Sequence, residues 1–72
     1  MAGKAKEALK LYLKLIKGNT HNDKLLFLIG TSYLQINNYD RAIHYLDNSI
    51  KINPKFQDAY NNRGIALTKK NK

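Results

Sequence analysis

DKLLFLIGTSYLQINNYDRAIHYLDNSIKINPKF, residues 23–56, decides how this chain is read. Two amphipathic segments flank the polar turn QINNYD, and Pro54 closes the second. Gly30 lies in the first and recurs as Gly64, 34 residues later (64 − 30), with LLFLIG leading into one and AYNNRG into the other. The same interval carries Ala42 back to Ala8, which makes KEALKLYLKLIK the counterpart of DRAIHYLDNSIK. A fixed period of this size marks a stacked repeat architecture, in which each unit buries its apolar face only against its neighbours.

Working outward, the pattern predicts an all-α chain of four helices, over 5–17, 23–36, 39–52 and 57–70, with Met1 to Lys4 fraying. In the first, Leu9, Leu11, Leu13 and Leu15 alternate with Lys10, Tyr12, Lys14 and Ile16, which also suits a strand. Alanine, leucine and lysine are strong helix formers, and β-branched residues are nearly absent, so the helix is favoured. Gly18 is expected to stop it as a left-handed cap. Asn22 or Asp23 caps the second helix, Asn37 and Asn38 make the turn, and Asn53-Pro54 ends the third. The expected inward sets are Leu26, Ile29, Gly30, Tyr33 and Leu34, then Ala42, Tyr45, Leu46, Ser49 and Ile50. A mid-helix glycine costs about 1 kcal/mol relative to alanine, so its recurrence predicts a close helix crossing.

Composition narrows the function. Seventy-two residues make one small domain, or a piece of a larger array, with a marginal core. There is no cysteine, which excludes disulfides and thiolate metal sites, and His21 and His44 have no metal-ligand spacing. Neither a membrane-spanning run nor a signal peptide is visible, so a cytoplasmic location is the expectation. The net charge of +8 is split: residues 1–20 and 55–72 carry +4 each, and residues 21–54 are neutral. Basic ends suit either a polyanion-binding face or a solvated surface that keeps the ends soluble.

Counted from Asp23, the chain supplies Leu26, Ile29, Gly30, Tyr33, Ala42, Leu46, Ser49 and Pro54. In this pattern it resembles a tetratricopeptide repeat, with Gly30, Tyr33, Ala42 and Pro54 matching outright. Leu26 replaces the usual tryptophan, Arg63 stands where leucine is typical, and Thr20 falls where a closing proline would. The resemblance covers half a repeat (5–17), one full repeat (23–56) and the first helix of another (57–70), as a single domain over 1–72. It implies an α-solenoid of antiparallel helix pairs in a right-handed superhelix, with first helices lining a concave groove that takes a peptide or partner helix. The groove residues it implies are Lys24, Phe27, Thr31, Asn61, Asn62 and Ile65. Asn61 and Asn62 would clamp a peptide backbone, while Phe27 and Ile65 would either seat an apolar anchor or pack between the first helices. Some relatives clamp a C-terminal carboxylate; Asn62 matches that set, but Phe27 and Thr31 stand where a lysine and an asparagine belong.

No catalytic constellation, phosphate-cradling loop or helical metal motif appears, so neither an enzyme nor a cofactor is expected. A protein-interaction scaffold is the favoured reading. The alternative is a basic nucleic-acid-binding module with tyrosines as stacking platforms. Against it, Tyr12, Tyr33, Tyr45 and Tyr60 fall at or beside packing positions. The first helix is apolar nearly all round, through Leu9, Leu11, Tyr12, Leu13, Leu15 and Ile16, and so predicts self-association into a homo-oligomer.

Overall fold

The computed structural model describes residues 2–72. They form α1 (Ala2–Ile16), α2 (Asp23–Gln35), α3 (Tyr39–Ile52) and α4 (Gln57–Lys70), with no strand among the described residues. The chain is all-α, and the strand-like alternation in LKLYLKLIK is helical. Connections at 17–22, 36–38 and 53–56 reverse the chain each time. Each helix packs on the next in sequence, and α2 also touches α4. The result is a slab of 35 × 30 × 15 Å with α2 near its middle.

Two sequence expectations need correction at α1. The helix begins at Ala2 rather than near residue 5, because nothing in AGKAK breaks it and Ala5 is already buried against the core; Met1 lies outside the described residues. Gly18 is not a left-handed cap, since no glycine among the described residues has positive φ. Instead Gly18 N–H donates to Leu15 O at 3.3 Å and Asn19 N–H to Ile16 O at 3.0 Å. The Asn19 side-chain amide adds a bond to Leu15 O at 3.1 Å, so polar groups of the turn satisfy the last carbonyls of the helix.

The central hairpin follows its sequence signals closely. Asn22 Oδ1 accepts from Leu25 N–H at 3.0 Å, and Asn38 Oδ1 from Arg41 N–H at 3.3 Å, so each helix opens on an asparagine cap. Between them Asn37 takes the left-handed conformation (φ 65°) that asparagine tolerates better than most side chains. Asn38 N–H then donates back to Tyr33 O at 2.9 Å. Asn53, held extended before Pro54, ends α3.

The core lies where α2 crosses α3. Ile29, Ala42, Leu46 and Ser49 are fully buried, while Leu34, Tyr45 and Ile50 are only partly covered. A Cβ placed on Gly30 would lie 2.7 Å from Leu46 Cγ and 3.2 Å from the Ala42 carbonyl oxygen. Gly30 is therefore small because Leu46 fills the space, with the Ala42 backbone close behind. Leu25, outside the expected inward set, is buried too.

Ser49, where the pattern usually has alanine, uses its buried hydroxyl. It donates to Asp23 O at 2.8 Å, and Asn53 Nδ2 donates to Asp23 Oδ2 at 2.9 Å. The end of α3 thus grips the start of α2.

Candidate interaction site

The six groove positions divide between internal bonding and exposure. Phe27 is half-buried against Phe56, ring centroids 4.9 Å apart, so it packs within the chain. Asn62 Nδ2 donates to Thr31 Oγ1 at 2.9 Å, bridging α4 to α2. That bond uses one of the two amide N–H groups and leaves the carbonyl end of Asn62 able to accept. Lys24, Asn61 and Ile65 are exposed. Asn61 and Ile65 open onto a concavity of about 510 Å³ along α4 and the residues just after it, shared with Tyr60, Gly64, Thr68, Lys69 and Lys72.

The six α1 positions also divide. Leu9 is buried in the chain's own core, and Tyr12, Leu13 and Ile16 pack against that core. Leu11 and Leu15, one turn apart, are 57% and 48% exposed. Ala8 and Tyr12, by contrast, line a concavity with Leu28, Thr31, Ser32 and Gln35 of α2.

Charges concentrate between α3 and α4. The Arg63 guanidinium pairs with Asp47, and Lys70 Nζ lies 2.6 Å from Asp40 Oδ1. Both carboxylates of α3 are thus matched to α4 cations, which sequence distance hides. Tyr33 stacks on Tyr45 at 5.6 Å, and the Arg41 guanidinium lies 5.8 Å above the Tyr33 ring. Those two rings are engaged inside the hairpin. Tyr60 departs from expectation: it is 45% exposed rather than packed, because no helix covers its side of α4.

The tetratricopeptide repeat family model matches residues 24–56, the hairpin whose geometry is given above. Residues 24–56 are a tetratricopeptide repeat. No curated protein matches the chain. Repeats of this family mediate protein–protein interactions and act as scaffolds rather than catalysts. Among the described residues there is no cluster of histidine and carboxylate groups that could hold a metal ion, and no helix long and apolar enough to cross a membrane. Sequence reasoning missed the Thr31–Asn62 bridge and the Asp23 grip. The first joins residues 31 apart in successive repeats and the second residues 26 and 30 apart within one repeat, so the 34-residue offset points to neither.

Proposed function

We propose that this chain is a protein-interaction scaffold that takes a peptide or partner helix along the side where α2 and α4 meet. The Thr31–Asn62 bond carries this reading. It fixes the spacing of the two first helices before any ligand arrives, so less ordering is needed on binding. The free acceptor of Asn62 and the exposed amide of Asn61 supply backbone recognition, with Lys24 and Ile65 beside them. Phe27, held against Phe56, supports the surface from beneath. The test is a peptide-library screen on the whole chain, followed by chemical-shift mapping of the selected peptides. Shifts centred on Thr31, Asn61 and Asn62, and loss of binding in Asn61→Ala/Asn62→Ala, are expected. Selected peptides that bind the double variant unchanged overturn the reading.

A second reading is self-association through α1, favoured by the exposure of Leu11 and Leu15 on one stripe. Sedimentation equilibrium should then show concentration-dependent association that Leu11→Glu/Leu15→Glu abolishes. A monomer at high concentration rules it out. The nucleic-acid alternative loses support from the Tyr33–Tyr45 stack, which occupies two of its five tyrosines.

A further inference from the structure

Leu26 is buried, yet its place in the repeat has room for more. It is α2's contribution to a concavity of about 210 Å³. The walls are Thr20 and His21, from the turn before α2, and Asn48, Lys51 and Ile52, from the last turns of α3. At the corresponding place 34 residues on stands Tyr60, a larger side chain than leucine. All six lining residues fall within residues 20–52, so the turn and the hairpin supply every wall.

Leu26, Ile52 and the Thr20 methyl give this cavity apolar surface, and Ile52 is an exposed large side chain there. An apolar cavity of about 150 Å³ is enough to hold a benzene ring. The polar lining is of one kind. Lys51 and His21 are exposed, and no carboxylate lines the cavity. The neighbouring acids are engaged elsewhere, Asp23 by the Asn53 amide and Asp47 by Arg63. One N–H of Asn48 meets His44 Nε2 at 3.4 Å, and the other is left to donate. Apolar walls with a few convergent donors orient a small ligand that carries one ring and one anionic group. We infer that this cavity binds a small planar aryl carboxylate. The ring lies against Leu26 and Ile52, and the carboxylate faces Lys51, with His21 and Asn48 as further donors. The site shares no residue with the Thr31–Asn62 groove or with the exposed leucines of α1, so either reading can fail without the other.

The probe is indoleacetate, titrated into the whole isotope-labelled chain and followed by amide chemical shifts. Tryptamine, the same ring with an ammonium group, and acetate, the anion without a ring, are the controls. Saturable shifts centred on Thr20, His21, Leu26, Asn48, Lys51 and Ile52 are expected with indoleacetate, and both controls should bind about tenfold or more weakly. Leu26→Trp fills the cavity and should weaken indoleacetate about tenfold or more, with helicity followed by circular dichroism. Lys51→Glu changes only an exposed side chain, so the fold is kept, and it should abolish the preference for indoleacetate over tryptamine. Asn62→Ala should leave that preference intact. Equal binding of tryptamine, an unchanged preference in Lys51→Glu, unchanged binding by a folded Leu26→Trp, or shifts that never saturate overturns the inference.

Discussion

Residues 23–56 and residues 57–72 carry the same repeat pattern with opposite outcomes. In the first, Leu26, Ile29, Gly30 and Tyr33 are buried because α3 folds back over them. In the second, Tyr60 and Gly64 hold the corresponding places and face outward. The comparison teaches that a repeat motif encodes the surface a helix offers, while burial depends on the neighbour that arrives. Helix formation itself is common to both, since α4 forms over its full predicted length with no side-chain cap at Phe56.

The sharpest way to break this contrast is to remove the filler. Leu46→Ala should destabilise the fold by about 2–5 kcal/mol, the range for emptying a fully buried leucine site, and urea unfolding followed by circular dichroism would measure it. A shift under about 0.5 kcal/mol would mean the α2–α3 crossing is not the core. Next come the two glycines, which should respond with opposite sign. Gly30→Ala drives a methyl into Leu46, so an overpacking loss of about 1–3 kcal/mol should exceed the propensity gain. Gly64→Ala meets nothing and should stabilise by about 0.5–1 kcal/mol. Paired melting curves of the two variants give the comparison directly, and equal shifts would erase the distinction drawn here. The smallest effect belongs to Lys70→Ala. Its pair with Asp40 is well exposed, so it should change stability by about 1 kcal/mol at most, declining with added salt.

Much of the fold was legible because local and periodic signals agreed. Asn22, Asn38 and Pro54 set three helix boundaries, and the 34-residue recurrence assigned the facing sides. What stayed hidden depends on tertiary geometry. Periodicity assigns Tyr60 to an apolar face without saying whether anything lies opposite. Glycine chemistry made Gly18 the natural left-handed cap, yet the turn closes through the Asn19 amide, and the one left-handed non-glycine residue among the described residues is Asn37. At the candidate site the residue types were readable, but their allegiances were not. Asn62 bonds Thr31, and Phe27 meets Phe56, across separations that only the folded stack brings together.

The grip on Asp23 has a dynamic consequence. Ser49 holds its main-chain oxygen and Asn53 its carboxylate, so the opening turn of α2 and the closing turn of α3 share a single anchor. Neither can fray while the other stays intact. Amide exchange at these two helix ends, which would ordinarily be the fastest in each helix, should follow one common opening event, setting the hairpin apart as a cooperative unit between two more freely fluctuating outer helices.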